Sequence, residues 1–171
     1  MKKRMSVCVS AALAVFLALT PAAVAGDGDF EDAMADYDAE EFDSARGHLE
    51  RLAERGHSGA ETMLGVMYFN GQGVKADPAF AAIWFFKAAR KGNPNAQLAF
   101  GSLHIRGIGV GQSLVKAHKW LALAEARSEG EVKGEAARLR TEIEALMTTE
   151  EIGRARANAQ SWRPVVVSGN N

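Results

Sequence analysis

AETMLGVMYFNGQGVKADPAFAAIWFFKAARKG, residues 60–92, is the stretch of sequence that decides the fold. Apolar residues recur at helical spacing on both sides of Gly71-Gln72-Gly73, which predicts a helix, a glycine turn and a second helix. Eight of its residues return 36 positions later, as Ala96, Gly101, Gly107, Gly109, Val110, Ala117, Trp120 and Ala124. A fixed period of this length predicts stacked helical hairpins, which is an all-α solenoid.

The repeated residues also carry a family resemblance. The first copy has Leu64, Gly65, Met67, Tyr68, Gly71, Gly73, Val74, Asp77, Ala81, Trp84, Lys87, Ala88, Ala89 and Gly92. The second copy keeps Gly101, Gly107, Gly109, Val110, Ala117, Trp120 and Ala124, and departs at Phe100, His104, Ser113 and Glu125. This pattern resembles the Sel1-like repeat, a helical hairpin related to tetratricopeptides. The resemblance implies a protein-binding scaffold rather than an enzyme.

The first 25 residues have the three parts of a secretory signal peptide. A basic start of Lys2, Lys3 and Arg4 precedes an apolar run over residues 7–19, and Ala23-Val24-Ala25 follows as a cleavage site. The run is shorter than the roughly 20 residues of a membrane-spanning helix. Cleavage after Ala25 therefore predicts a periplasmic or secreted protein. The signal would take with it the only cysteine, Cys8, so no disulfide is expected in the mature chain.

The rest of the chain divides by its periodicity. A Sel1-like domain is predicted over residues 26–160. It comprises a half-copy at about 28–56, repeat 1 at 58–92, repeat 2 at 94–128 and a C-terminal capping hairpin at 131–160. These segments predict about eight helices in four hairpins, with the period lost after Arg127. Residues 161–171 read as a flexible tail. Without basic clusters, the mildly acidic mature chain favours neither nucleic acid nor an anionic membrane, and a monomer is expected.

Local signals predict how the helices begin and pack. Ser58 to Glu61 and Thr148 to Glu151 have the spacing of capping boxes, and Asp77-Pro78 is a helix start. Gly65 is expected to let the next helix approach closely because it lacks a Cβ. The buried side of the fourth helix is predicted to include Phe80, Ile83, Trp84, Lys87 and Ala88, with Trp84 and Trp120 as the anchors of their repeats.

The motifs of catalysis and metal binding are missing from the sequence. The two Gly-x-Gly turns follow no strand and lack the lysine of a phosphate loop. His48, His57, His104 and His118 include no pair at helical spacing for zinc. Asp27-Gly28-Asp29 begins like a calcium loop, but Asp32 stands where that loop needs glycine. We therefore predict no catalytic residue, no metal and no cofactor. A carboxylate pair acting on the cell wall, in an enzyme or its accessory factor, is the alternative.

The predicted binding surface is the concave side, lined by the first helix of each repeat. Its candidate residues are Thr62, Val66, Phe69, Leu98, Ser102, Ile105 and Arg106. If exposed, these side chains would form an apolar groove for a protein or peptide. The alternative is that they pack against the neighbouring hairpin. The function predicted from the sequence is an exported, non-catalytic scaffold or adaptor of the bacterial envelope, with a host-directed secreted factor as a further possibility.

Overall fold

The chain from residue 28 to residue 165 is described by a computed structural model, and it folds into eight α-helices. They are α1 (Gly28–Asp38), α2 (Phe42–Glu54), α3 (Ser58–Asn70), α4 (Pro78–Lys91), α5 (Pro94–Arg106), α6 (Leu114–Arg127), α7 (Gly130–Glu144) and α8 (Thr149–Gln160). Each helix from α1 to α6 packs against the next helix in the chain. The predicted all-α solenoid is confirmed. The predicted signal peptide lies outside the described residues.

The 36-residue spacing of the helix starts continues beyond the two repeats that can be recognised in the sequence. The starts of α2, α4 and α6 are 36 residues apart, and those of α3, α5 and α7 have the same separation. The prediction that the period ends after Arg127 is therefore wrong for the backbone, because α7 begins in register at Gly130. Only the side-chain pattern is lost there.

Side-chain caps fix where several helices begin. The Asp77 carboxylate accepts hydrogen bonds from the backbone N–H groups of Ala79 and Phe80, both at 3.0 Å. At α3 the predicted Ser58 cap is wrong: the Nδ1 atom of His57 accepts from Ala60 N at 3.0 Å. The predicted capping box of Thr148 at α8 is confirmed. A helix start thus follows whichever acceptor reaches the free N–H groups.

Within each repeat, a glycine allows the two helices to touch. A Cβ atom on Gly65 would lie 2.7 Å from the ring of Phe85. At the equivalent position of the next repeat, a Cβ on Gly101 would lie 3.1 Å from the side chain of Leu121. The predicted role of Gly65 is confirmed, because any larger residue would push α4 away from α3.

Each Gly-x-Gly turn joins the two helices of one repeat and packs against the hairpin before it. Gly71 ends α3 in the left-handed conformation, with φ of 75°. Two residues on, a Cβ atom on Gly73 would lie 2.7 Å from the Cβ of Phe42, at the start of α2. In the next repeat, a Cβ on Gly109 would lie 2.1 Å from the carbonyl oxygen of Pro78, at the start of α4. The backbone of each turn therefore contacts the preceding hairpin so closely that only glycine, which has no Cβ, fits at these positions.

The core consists of three apolar clusters that follow one another along the solenoid. Trp120 is buried in the central cluster, whereas Trp84 is half-buried beside the N-terminal one. The buried face of α4 consists of Ala81, Ala82, Phe85, Ala88 and Ala89. The predicted buried face of α4 is right at Ala88 and partly right at Trp84, but wrong at Phe80, Ile83 and Lys87, which are exposed.

The C-terminal helices close the solenoid around α6. Helix α7 packs on α5 and α6, and α8 packs on α6 rather than mainly on α7, so the predicted capping hairpin at 131–160 is open. The chain then turns back. Trp162 packs edge-on against Trp120 with ring centroids 6.3 Å apart, and Val165 N donates a hydrogen bond to Arg90 O at 2.8 Å. Residues 161–165 are therefore docked, whereas the rest of the predicted flexible tail lies outside the described residues.

Candidate functional site

Three residues of the predicted concave groove are buried in the structure. Thr62, Val66 and Leu98 are only 2%, 6% and 7% exposed. Val66 belongs to the central core cluster and Leu98 to the C-terminal one. The Thr62 hydroxyl donates to Ser58 O at 2.8 Å, within its own helix. The expectation that these three residues are exposed is wrong, because neighbouring helices cover them.

The remaining groove residues do not form one continuous surface. Phe69 is half-buried against the central cluster, and Ile105 is half-buried against the C-terminal one. Ser102 donates its hydroxyl proton to Leu98 O at 2.9 Å, and Arg106 is exposed at the end of α5. Most of the predicted groove is therefore packing surface, as the alternative interpretation of the sequence held.

Within residues 28–165, five large apolar side chains are exposed, and three of them lie on α4. Phe80, Ile83 and Phe86 are 38%, 50% and 39% exposed, which is unusual for large apolar residues within a well-packed repeat. They follow one another at intervals of three residues, so they form a row along the outer side of the helix. The alanines of α4, at i, i+1, i+7 and i+8, are the signal in the sequence that would have identified the true buried side.

A second feature of this side of the molecule is a set of cations placed over aromatic rings. Lys87 Nζ lies 4.1 Å from the centre of the Trp84 ring, and the Arg90 guanidinium lies 5.5 Å from that of Phe86. On α6, Lys119 Nζ lies 4.5 Å from the Trp120 ring centre. Near the C-terminus, the Arg127 guanidinium lies 4.5 Å from the ring centre of Trp162. Partial burial lowers the pKa of Lys119.

Ring contacts connect the rings beneath Arg90, Lys119 and Arg127, whereas Trp84 and Lys87 are joined to this set by their place on α4. Phe86 lies 5.2 Å from Phe100 and 6.2 Å from Trp120, measured between ring centroids, and Trp120 in turn contacts Trp162. We define the α4–α6 face as Phe80, Ile83, Phe86, Lys87, Arg90, Lys119 and Arg127. Within residues 28–165, none of its four cations has a carboxylate within 4 Å.

Two buried polar groups elsewhere have structural partners. His104 Nδ1 lies 2.9 Å from Gly111 O, which ties the α5–α6 turn to its helix, and burial lowers the pKa of His104. The Lys91 ammonium lies 2.7 Å from the buried carboxylate of Glu61 and donates to Gly56 O at 2.9 Å. Both arrangements hold neighbouring elements together.

Residues 28–165 contain no group of three or more His, Cys, Asp or Glu residues that could hold a metal ion. None of their helices is long and apolar enough to cross a membrane. A shallow depression between α6 and α7 contains the Glu125–Arg140 ion pair, with 3.1 Å between Oε2 and Nε. The α4–α6 face combines three exposed large apolar residues with four cations that lie over aromatic rings.

Comparison with known proteins identifies the repeats. The Sel1 repeat family profile matches residues 58–93 and 94–128. Over 62 residues the chain is 38% identical to HRD3A, an ERAD-associated E3 ubiquitin-protein ligase component of Arabidopsis thaliana. That match covers 36% of this chain and 9% of HRD3A. The chain therefore corresponds to a small part of this much longer relative.

Solved structures show the same fold. A protective antigen of uropathogenic Escherichia coli with an SLR fold superposes with a TM-score of 0.72 at 24% identity, covering 84% of this chain and 34% of the antigen. A Sel1 repeat protein from Oxalobacter formigenes superposes with a TM-score of 0.60 at 24% identity, covering 78% of this chain and 55% of that protein. These likenesses extend well beyond the two matched repeats and show a helical-repeat fold.

Proposed function

Because the chain is a Sel1-like repeat protein, we propose that it is an exported, non-catalytic scaffold that holds a protein partner on its α4–α6 face. Sel1 repeats generally mediate protein–protein interaction, and proteins built from them are typically scaffolds. The observation that carries the proposal for this chain is the exposed row of Phe80, Ile83 and Phe86. This surface replaces the concave groove expected from the sequence.

An exposed apolar row on a helix is suited to binding a protein segment. Transfer of apolar surface out of water stabilises a complex by about 25 cal/mol per Å², and a partner helix or extended segment could cover all three side chains together. The cations beside the row would supply polar contacts at its edge, as at the rim of many interfaces. Such a surface favours binding a protein segment rather than catalysis on a small substrate.

The proposal of export depends on the N-terminal sequence. Residues 1–25 have a basic start, an apolar run and an Ala-x-Ala site, which support delivery to the periplasm or beyond. We expect the protein recovered from cells of its source to begin at Gly26. Intact-mass measurement of the protein in each cell fraction tests this. Full-length protein confined to the cytoplasm would contradict export without affecting the binding proposal.

Site-directed photo-cross-linking in cells tests the scaffold role. A photo-reactive amino acid replaces Ile83 on the α4–α6 face in one strain and Glu142, which is 46% exposed on α7, in a matched strain. We expect one dominant cross-linked protein from position 83 and little from position 142. Partner binding at the α4–α6 face is ruled out if both positions give the same weak, heterogeneous products.

A further inference from the structure

We propose that the partner segment bound by the α4–α6 face is acidic as well as apolar: a protein segment in which Asp or Glu alternates with residues such as Leu, Ile or Phe. This inference rests on the proposed function, since it assigns the chemistry of the occupant of the same surface. The observations that carry it are the distribution of charge along the chain and the geometry of the cations on the face.

The charges of this chain are strongly segregated. Residues 78–124, which include α4, α5 and most of α6, contain no Asp or Glu. Their basic residues are Lys87, Arg90, Lys91, Arg106, Lys116 and Lys119. Of these, Lys91 is neutralised by Glu61. The overall charge of the full chain, −1, therefore conceals a basic central surface that would attract an acidic partner.

The cations of the face are already positioned. Lys87, Arg90, Lys119 and Arg127 each lie over an aromatic ring, and contact with the ring holds a long side chain in place. Stacking uses the ring face but leaves the N–H donors of the cation available to a carboxylate. Because no carboxylate within residues 28–165 lies within 4 Å of these cations, a bound acidic segment would provide their first ion-pair partners.

The apolar row argues against partners that would bind through negative charge alone, such as a nucleic acid. Ile83 is half exposed between the two phenylalanines and has no ring to stack on a base. Trp84, Phe86, Trp120 and Trp162 already have a cation over them, which leaves little ring face for nucleobases. Four cations are also few for a nucleic acid or an anionic membrane. A protein segment with both acids and apolar side chains matches both halves of the surface.

A second copy of the chain would complement the charge of the α4–α6 face but not its apolar row. Helices α1 and α2 are rich in acids, including the exposed Glu31, Asp32 and Asp43. Their large apolar side chains, however, pack against the N-terminal core cluster. They are Phe30, Met34, Tyr37 and Phe42. The N-terminal hairpin therefore lacks the exposed apolar groups that would cover Ile83 and its neighbours.

Selection from a random peptide library tests the chemistry of the occupant. The purified full chain is presented to a phage-displayed library of 16-residue peptides, and the enriched sequences are compared with the starting library. We expect enrichment of Asp and Glu together with Leu, Ile or Phe, and depletion of Lys and Arg. The best peptide is then labelled, and its affinity is measured by fluorescence anisotropy.

Two double variants, each of which removes two positive charges, distinguish an effect of the α4–α6 face from an effect of the overall charge. K87Q/R90Q removes two cations of the face, and K133Q/R154Q removes two exposed cations from α7 and α8. We expect K87Q/R90Q to weaken the peptide by roughly tenfold at low salt and less at high salt. K133Q/R154Q should stay within about twofold of the parent. Ile83→Ser tests the apolar half, and circular dichroism checks that each variant is folded.

The outcomes separate this inference from the proposed function. Enriched peptides that depend on Ile83 but lack acids, or are unaffected by K87Q/R90Q, overturn the acidic occupant and leave the scaffold in place. A library that yields no peptide sensitive to Ile83→Ser overturns both. Tighter binding of poly(U) RNA or of vesicles containing anionic lipid than of any peptide also overturns the inference, as does concentration-dependent self-association that K87Q/R90Q abolishes.

Discussion

The buried imidazole of His118, in α6, lies 2.6 Å from the Oε1 atom of Glu144 at the end of α7. The ionised carboxylate can only accept, so His118 donates through its Nε2–H group. Arg156 of α8 reaches the same oxygen atom at 3.4 Å. One carboxylate therefore ties the last three helices together, although the three residues are far apart in the sequence and follow no repeat pattern.

This arrangement predicts a pH-dependent contribution to stability. The hydrogen bond from His118 is the largest cause that lowers the pKa of Glu144 below its ordinary value of 4.5. A carboxyl group whose pKa is lower in the folded state stabilises the fold above the unfolded pKa, and the contribution disappears as the pH falls through the folded pKa. We expect Glu144→Gln to reduce the free energy of unfolding by roughly 1.5–3 kcal/mol at pH 7.

Urea denaturation between pH 7 and pH 3 measures this effect. The difference between the parent and Glu144→Gln should shrink as the pH falls below 4.5, because the parent then loses its own carboxylate. Glu142→Gln is the control, since Glu142 pairs with the exposed Arg138 and should change stability by less than about 1 kcal/mol. A Glu144→Gln effect that is constant with pH would contradict the assignment.

The close contact between α3 and α4 predicts opposite effects for two Gly→Ala changes in helices. Gly65→Ala would force a Cβ against the Phe85 ring and should destabilise by roughly 1–3 kcal/mol. Gly153→Ala in α8 meets nothing within 4 Å and should stabilise by up to about 1 kcal/mol through helix propensity. Thermal melting of both variants checks the prediction. Equal effects of the two changes would show that the contact between Gly65 and Phe85 has room for a methyl group.

The ion pair between Glu61 and Lys91 predicts that substitutions of the two residues have non-additive effects on the free energy of unfolding. Their side chains are only 4% and 17% exposed, so removing one charge leaves the other poorly solvated. We expect Glu61→Gln alone to cost roughly 2–4 kcal/mol. The double variant Glu61→Gln/Lys91→Met should recover at least half of that loss. Chemical denaturation of the single and double variants completes the cycle, and simple addition of the two losses would argue against coupling.

The docked C-terminal segment predicts that Trp162 stabilises the middle of the solenoid. Its ring packs against Trp120 and lies near Gly92, so Trp162→Ala would expose apolar surface on α4 and α6. We expect a loss of roughly 2 kcal/mol, for about half of a tryptophan side chain removed from contact. Arg163→Ala, at an exposed neighbouring position, is the control.

Hydrogen exchange locates this effect. In Trp162→Ala, faster exchange is expected at the last turn of α4, where Val165 bonds to Arg90 O, and in α6. Exchange confined to residues after Gln160 would mean that the tail rests on the solenoid without supporting it.

How far the sequence predicts this fold depends on how local each signal is. Gly71 and Asp77 act within a few residues of themselves, through turn conformation and capping, and Gly65 acts on Phe85 in the second helix of its repeat. All three fulfil the roles that their sequence context predicts. His57 shows the limit even at this range, because the choice between it and Ser58 as the cap depends on which side chain reaches Ala60 N.

The candidate site was predicted less well, for a physical reason. Val66 and Phe80 are both large apolar residues at helical spacing, and the sequence gives no direct sign of which one a neighbouring helix covers. In the folded chain Val66 is 6% exposed and Phe80 is 38% exposed, the reverse of the expectation. Burial in a solenoid depends on which side of a helix meets the next hairpin, and that is a contact between distant residues.

The sequence by itself determined the repeat, its helical hairpins and the glycine turns, because these follow from local spacing and conformational preference. Only the tertiary structure decided that the apolar row lies on the outer side of α4, that α8 rests on α6, and that Trp162 returns to Trp120. Each of these depends on how helices stack in space. Stacking is set by the combined shape of many side chains, which no single segment of the sequence contains.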